Sequence, residues 1–191
     1  AAALNRQAYL DWEAEQPDKH EYIAGEVFAM EDARRTHALV VGTIFAALHT
    51  HLKGSPNRSF ASCMKLFVAD ADAYFYPDVM VTCDERDRRA ELAIEHPRLV
   101  VEVLSDSTAA YDRGKKFAAY RKLESLQEYL LVDLDSRRLE LFRRNPENHW
   151  VLYDYGAGES DEFATLNISI PVDLVFEDTD EPPANTATDN A

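Results

Sequence analysis

The sequence predicts an α/β (α+β) domain organised around one mixed β-sheet. The central observation is the run 98–105, a short and almost wholly apolar segment that follows Pro97. Its β-branched composition predicts a strand buried on both faces. Two segments, 36–52 and 109–123, carry apolar residues at helical spacing, and short β-prone runs lie between and after them. This order of elements is typical of helices packed on a single mixed sheet.

The amino-terminal part is predicted to hold a surface helix, a hairpin and a core helix. Residues 7–16 carry a few apolar side chains among acids and end before Pro17, which predicts a short surface helix. Two β-prone runs flank Ala24-Gly25, which predicts a hairpin over 20–30. Residues 36–52 are apolar on most sides, which indicates that this helix lies in the core.

Two strands and a charged loop are expected next. Residues 60–69 and 76–82 are β-prone, and the acidic stretch 70–72 predicts a turn between them. Residues 84–91 alternate in the sign of their charge, which predicts a solvated loop leading to the buried strand 98–104. We therefore expect the strands on either side of this loop to be neighbours in the sheet.

The remaining chain is predicted to form one helix, a strand and a small β extension. Ser107 or Thr108 can cap the helix 109–123. The strands expected after it are 128–133, 138–143, 150–155 and 163–168. From 177 onward the chain is acidic and poor in apolar residues, which predicts a disordered tail. The predicted organisation is one domain over 1–176 and a tail over 177–191.

Composition limits the classes of function. The formal net charge of −15 argues against a general nucleic-acid coat protein, because phosphate binding depends on surface Lys and Arg. It is compatible with a local basic cleft and with carboxylates that attract divalent cations. The two cysteines, Cys63 and Cys83, form no CxxC pair, which favours a reducing cytoplasm. The apolar runs are much shorter than the roughly 18 residues of a membrane helix, so no membrane partner is expected.

A carboxylate interrupts the buried strand. Glu102 shares a face with Val100 and Leu104 because side chains alternate along a strand. A buried carboxylate without a partner is costly, so a cation, a metal ion or a hydrogen-bonded cleft should compensate it. The alternative is a glutamate near a strand end that pairs with an arginine such as Arg98 or Arg121.

A second carboxylate is expected near the first. Asp78 follows Tyr76-Pro77, and the proline places this aspartate at the mouth of its strand. If the strands of Asp78 and Glu102 are neighbours, the two acids converge on one side of the sheet. Such carboxylates repel each other unless a divalent cation lies between them, and oxygen ligands favour Mg²⁺ or Mn²⁺. With 35 acids in the chain, an Asp–Glu pair is a weak signal by itself.

The helix that follows can supply a cation. Asp112, Lys116 and Tyr120 are spaced i, i+4 and i+8 and share one face. One interpretation is a surface ion pair of about 0.3–0.5 kcal/mol, with Tyr120 as a packing aromatic. The other directs Lys116 back over the sheet beside the two carboxylates, as an ammonium that faces a phosphate.

Together these residues resemble a known family. Four motifs carry the resemblance: Tyr76-Pro77-Asp78-Val79, Glu102-Val103-Leu104-Ser105, the stretch from Asp112 to Lys116 with Tyr120, and the run 128–133. In kind and order they are similar to the motifs of the bacterial Uma-type restriction endonuclease family. That family belongs to the PD-(D/E)XK nuclease superfamily. The stretch 21–26 and His37 also match its amino-terminal pattern, so the resemblance covers about 9–176. It implies a restriction-endonuclease-like core, with two helices flanking the mixed sheet.

The resemblance implies roles for individual residues. Asp78 matches the aspartate of the PD motif and Glu102 the second acid, which with the carbonyl of Val103 would hold Mg²⁺ or Mn²⁺. Lys116 matches a helix lysine that replaces the usual strand lysine, since Leu104 stands at the strand position.

Four further residues are candidates near this site. Glu26 and His37 match the amino-terminal pattern, and their alternatives are a hairpin-surface acid and a capping or core histidine. Asp112 and Tyr120 accompany Lys116 on its helix. The basic residues that could contact nucleic acid are Arg34, Arg35, Arg113, Lys115 and Arg121; the alternative interpretation is that they are ordinary solvated side chains.

These expectations favour a metal-dependent endonuclease with DNA as its substrate. The alternative is a catalytically degenerate nuclease-fold protein that acts as a binding module, which the absent strand lysine and the acidic charge favour. Hydrolysis of RNA or of a small phosphodiester is a third possibility. A homodimer is compatible with the resemblance, because two centres are needed to cut both strands at once.

Overall fold

A computed structural model describes residues 4–30, 33–105 and 107–179. Within them the chain forms a six-stranded mixed sheet, a second sheet of five strands and a two-stranded ribbon. The predicted α+β class is therefore confirmed, with helices on both sides of the six-stranded sheet. The expectation of one sheet is wrong, because several short strands belong to the second sheet.

Apart from the 3₁₀ helices Ala69–Ala71 and Glu85–Arg89, the described residues contain four helices. They are α1 (Arg6–Glu13), α2 (Arg35–His51), α3 (the consecutive segments Ala109–Tyr111, Asp112–Lys116 and Phe117–Tyr120, of which the middle one is a π-helical turn) and α4 (Val172–Val175). The strands in chain order are β1 (His20–Ile23), β2 (Glu26–Ala29), β3 (Arg58–Ala61), β4 (Lys65–Val68), β5 (Ala73–Phe75), β6 (Val79–Thr82), β7 (Ala93–Ile94), β8 (Leu99–Val103), β9 (Glu128–Asp133), β10 (Arg138–Arg144), β11 (Trp150–Tyr155), β12 (Ser160–Phe163) and β13 (Ile168–Pro171).

Strand β8 lies inside the six-stranded sheet, whose order is β11-β10-β9-β8-β6-β3. It runs parallel to β9 and antiparallel to β6. Every residue of β8 is buried, as predicted for a strand covered on both faces.

The register between β6 and β8 positions the two acids. Val79 pairs with Val101 and Met80 with Val100, so the next position along the register sets Asp78 opposite Glu102. Residues directly opposite each other in an antiparallel pair project to the same face. The register thus agrees with the prediction from the sequence that Asp78 and Glu102 lie on the same side of the sheet.

Each face of this sheet carries its own apolar core. Helix α2 packs on one face, where Ile44 and Leu48 meet Val101. On the other face, Tyr120 of α3 joins Val100 and residues of the five-stranded sheet. Glu102 lies on this second face, between the main sheet and α3.

Two predicted strands differ from the observed ones where the chain passes between the two sheets. The stretch predicted over 60–69 forms β3 in the main sheet and β4 in the second, with a turn between them. The stretch 76–82 begins only at Val79, since β5 belongs to the second sheet and Pro77 has no N–H to continue a ladder. Residues 76–78 therefore cross from one sheet to the other.

Smaller differences concern the ends of elements. The predicted loop 84–91 contains a 3₁₀ helix, Glu85–Arg89, capped by the side chain of Asp84. The predicted strand 163–168 is the turn between β12 and β13, where Asn167 has a φ of 52°. Helix α3 ends at Tyr120, earlier than predicted.

No helix in the described ranges is long and apolar enough to cross a membrane. Of the predicted tail, residues 180–191 lie outside the described residues. The boundary of the domain at residue 176 stays a prediction.

Candidate active site

Glu102 is the centre of a buried polar cluster. Its side chain leaves β8 toward α3, and the residue is only 3% exposed. The hydroxyl of Tyr120 donates to Glu102 Oε1 over 2.7 Å. The ammonium of Lys116 lies 2.9 Å from the same oxygen. The cation that the buried glutamate requires therefore comes from α3, and not from Arg98 or Arg121.

Lys116 binds three carboxylates. Besides Glu102, its Nζ lies 3.0 Å from Glu21 Oε1 and 3.6 Å from Asp112 Oδ1. The i, i+4, i+8 spacing on α3 places Asp112, Lys116 and Tyr120 along the face that covers the sheet. Lys116 also lies 5.8 Å from the centre of the Phe75 ring. The pair Asp112–Lys116 is thus buried beside Glu102 and is not a surface ion pair.

The cluster holds more negative than positive formal charge. Burial lowers the pKa of Lys116, but the carboxylates of Glu102, Glu21 and Asp112 raise it well above its usual value, so Lys116 stays protonated. Burial raises the pKa of Glu102 well above its usual value. Lys116 opposes this shift, whereas the carboxylates around it, including Asp78, add to it. One ammonium does not balance the acids of the cluster.

Asp78 is anchored by the neighbouring strand and by α2. Its Oδ2 accepts a hydrogen bond of 2.8 Å from the backbone N–H of Val103 and lies 3.2 Å from His37 Nε2. Burial lowers the pKa of His37, but Asp78 and the carbonyl of Val103 raise it, and the balance is a rise. His37 Nδ1 is buried and has no hydrogen-bond partner among the described residues. These contacts fix the orientation of Asp78 at the strand mouth.

The arrangement fits a hard divalent cation in the kind of donor it offers. Asp78, Glu102 and the carbonyl of Val103 supply only oxygen, which is what Mg²⁺ and Mn²⁺ prefer. The uncompensated carboxylate charge of the cluster favours an added cation. Among the described residues, no three His, Cys, Asp or Glu side chains are already grouped as a metal site. The side chains would therefore have to exchange some of their present contacts for a metal.

Glu21 is a site residue that the sequence reasoning missed. It lies on β1 and is 7% exposed, whereas the predicted candidate Glu26 is exposed on β2 and lies apart from the cluster. The alternation of side chains along β1 could have identified Glu21 from the sequence. Tyr22 packs among aromatic rings on one side of the strand, so Glu21 must face the opposite side.

The five basic candidates for nucleic-acid contact are not gathered at the cluster. All are exposed, and the contacts of Arg113 and Arg121 point away from the cluster. Arg113 binds Glu140 and Asp133 at 2.8 and 2.9 Å, and Arg121 lies 5.1 Å from the centre of the Phe117 ring. The expectation that Arg113 contacts phosphate is therefore not supported by its position.

A family model described as "Putative restriction endonuclease" and named Uma2 matches residues 6–176. The chain belongs to the Uma2 family. The resemblance noted from the motifs is thereby confirmed over most of the chain. A family of this description implies a nuclease with a nucleic-acid substrate.

Two relatives of the chain come from Synechocystis sp. The uncharacterized protein slr1290 is 38% identical over 173 residues, which is 91% of each chain. The uncharacterized protein sll1609 is 33% identical over 168 residues, or 86% of this chain and 95% of the relative. Neither name assigns an activity.

A solved structure supports the fold. The crystal structure of a protein from Anabaena variabilis, described as "a putative nuclease belonging to DUF820", superposes with a TM-score of 0.72 at 18% identity. The match covers 88% of this chain and 97% of the other. At this identity the likeness concerns the Uma2 fold alone.

Proposed function

We propose that this Uma2 protein is a metal-dependent endonuclease that hydrolyses phosphodiester bonds of DNA. The observation that carries the proposal is the contact between Lys116 and Glu102 at 2.9 Å, with Asp78 in the register position opposite Glu102. An acid pair and a lysine are thereby combined without a lysine at position 104. We also infer a reducing cytoplasm, in which the free thiols of Cys63 and Cys83 persist.

Each residue has a separate task in the proposed reaction. Asp78, Glu102 and the carbonyl of Val103 would hold Mg²⁺ or Mn²⁺, which when bound lowers the pKa of a water and polarises the phosphoryl group. Lys116 would stabilise the negative charge that develops on the phosphate.

Four neighbours would keep these groups in place. Tyr120 orients Glu102 through its hydroxyl, and His37 orients Asp78. Glu21 and Asp112 hold the ammonium of Lys116 close to Glu102. Preorganised charges of this kind lose little energy to rearrangement during a reaction.

One observation favours the alternative of a binding module without catalysis. Lys116 and Glu102 are 5% and 3% exposed, and their contacts satisfy each other. A closed ion-pair cluster can be purely structural. The experiment must therefore separate metal binding from cleavage.

Metal binding is tested first by calorimetric titration of Mn²⁺ at low salt. We expect the native chain to bind the ion, and Asp78→Asn and Glu102→Gln each to abolish binding. A matched control is the double variant Glu124→Gln/Asp135→Asn, which removes two exposed carboxylates and should bind like the native chain. Absence of binding, or binding that ignores both site variants, refutes the metal site.

Cleavage is tested with supercoiled plasmid DNA and with labelled RNA, each in Mg²⁺, Mn²⁺ or EDTA. Metal-dependent nicking of DNA that disappears in Lys116→Met supports the proposal. Cleavage of RNA but not of DNA would mean that the enzyme acts on RNA instead of DNA. Metal binding without cleavage of either substrate leaves the binding module as the better description. Sedimentation of the active protein, with and without DNA, would establish whether it works as a homodimer.

A further inference from the structure

Two lysines that the proposed reaction does not use lie over one aromatic ring. The ammonium groups of Lys65 and Lys19 are 5.1 and 5.6 Å from the centre of the Tyr76 ring. The ring itself is buried, and its hydroxyl donates to Glu13 Oε1 over 2.8 Å. Cation–π contacts of this kind contribute about 0.5–1 kcal/mol at exposed sites. The Tyr76 ring is therefore in contact with two positive charges.

Tyr76 joins this pair of lysines to the carboxylate cluster. Its backbone N–H points to Glu21 Oε1 over 3.5 Å, and that oxygen also binds Lys116. Asp78 follows two residues later, so its Cα lies within about 7 Å of the Cα of Tyr76. The residue whose ring contacts the two lysines is thus linked through its backbone to both Glu21 and Asp78.

A second connection runs through the turn between β3 and β4. Lys19 Nζ donates to the carbonyl of Ser62 over 2.7 Å. The backbone N–H and the hydroxyl of Ser62 both donate to the carbonyl of Asp78, over 3.0 and 3.3 Å. Lys19 is therefore fixed relative to Asp78 by a short chain of hydrogen bonds.

In the part of the chain that the structure describes, the two ammonium groups are not paired with a carboxylate. Within the described residues, neither Lys19 nor Lys65 has an acid within ion-pair distance. Burial lowers the pKa of Lys65; Glu13 opposes this shift, and the ammonium of Lys19 adds to it. Glu13 is itself occupied by His20 and Tyr76. Two neighbouring cations in a protein of net charge −15 are a suitable place for an added anion.

We infer that Lys19 and Lys65 bind a backbone phosphate of the nucleic-acid strand beside the phosphate that is cleaved. This inference rests on the proposed function, because it takes the nucleic acid to be the ligand. Lysine binds phosphate as a point charge and without base preference, so the pair would position the strand and leave its sequence unread. The basic site then lies on the β1–β2 and β4 side of the reaction centre, away from Arg113 and Arg121.

The test is the affinity for a fluorescein-labelled DNA duplex, measured by anisotropy in EDTA between about 50 and 200 mM KCl. The variant is Lys19→Gln/Lys65→Gln. The matched control is Lys53→Gln/Lys122→Gln, which removes the same charge from exposed lysines outside this pair. Circular dichroism checks that all proteins are folded, and Lys19→Gln alone serves if the double variant does not fold, because Lys19 is exposed.

We expect the variant to bind about tenfold or more weakly at low salt, and the slope of log K against log[salt] to fall in magnitude by about 1, because one phosphate contact is lost. The control should bind like the native chain. If the native chain binds DNA and the variant matches the control in affinity and slope, the inference is refuted while the proposed function stands. If the native chain neither binds nor cleaves DNA, the proposed function fails and this inference fails with it.

Discussion

The isolated carboxylate of Asp161 should make the protein less stable as the pH rises. Asp161 lies on β12 and is fully buried. Neither of its carboxylate oxygens makes a hydrogen bond of normal geometry with a described residue. Burial raises its pKa from 3.8 to about 7; the nearby carboxylate of Glu128 adds to the rise, and Arg143 opposes it. Replacing Asp161 with Asn removes this titration and nearly preserves the shape of the side chain.

The sign and size follow from proton linkage. Below the pKa that Asp161 has in the unfolded chain, its carboxyl group is protonated in both states and does not change the free energy of unfolding. Between pH 4 and 7 the unfolded chain releases this proton while the folded chain keeps it, so the folded state loses stability as the pH rises. A pKa of about 7 against 3.8 corresponds to a loss of about 4 kcal/mol that is complete slightly above pH 7. Asp161→Asn should therefore gain up to this amount over the native chain at pH 8.

The assay is urea unfolding at pH 5, 6.5 and 8, followed by tryptophan fluorescence. The quantity to compare is the free energy of unfolding of Asp161→Asn minus that of the native chain, in which titrations common to both proteins cancel. The control is Glu162→Gln, a neighbouring exposed acid on the same strand. A difference for Asp161→Asn that stays constant with pH, or that grows toward acid, would refute the reasoning.

Two further predictions concern buried charges. Lys116→Met should lower the free energy of unfolding by about 3–5 kcal/mol in urea titrations, because it leaves buried acids uncompensated. Adding Glu102→Gln should recover part of this loss, and additive effects of the two changes would contradict the coupling. Asp87→Ala should cost at least about 2 kcal/mol in thermal melts, because Asp87 accepts hydrogen bonds from the hydroxyl of Thr82 and from the backbone and ring of His96. An unchanged melting temperature would show that these donors find other partners.

The parts of the site that lie close together in sequence were predictable. Glu102 stands out as an acid in an apolar strand, and strand alternation gives its face. Helical spacing then places Lys116 and Tyr120 on one side of α3. Asp78 follows from the expectation that neighbouring strands pair through a short connection. These inferences need only the side-chain periodicity of one strand or one helix and the pairing of two neighbouring strands.

The contribution of Glu21 required long-range information. Its strand, β1, pairs with β5, and that pairing carries Glu21 to the site. The sequence does not show locally which of two sheets a short strand joins, so 60–69 was predicted as one strand and the strand over 76–82 was predicted to begin before Val79. The same uncertainty hid the lysines over Tyr76, which come from the turn before β1 and from β4.

The position of the cation explains why position 104 can be apolar. A lysine there would project from the sheet on the face of Glu102, two residues further along the strand. In this chain Leu104 fills that position and packs in the core beneath α3. Lys116 instead descends onto Glu102 from the π-helical turn of α3, a kind of turn that is frequent at functional sites. The cation that compensates Glu102 thus comes from α3 and not from the strand. Position 104 can therefore hold an apolar residue that packs in the core.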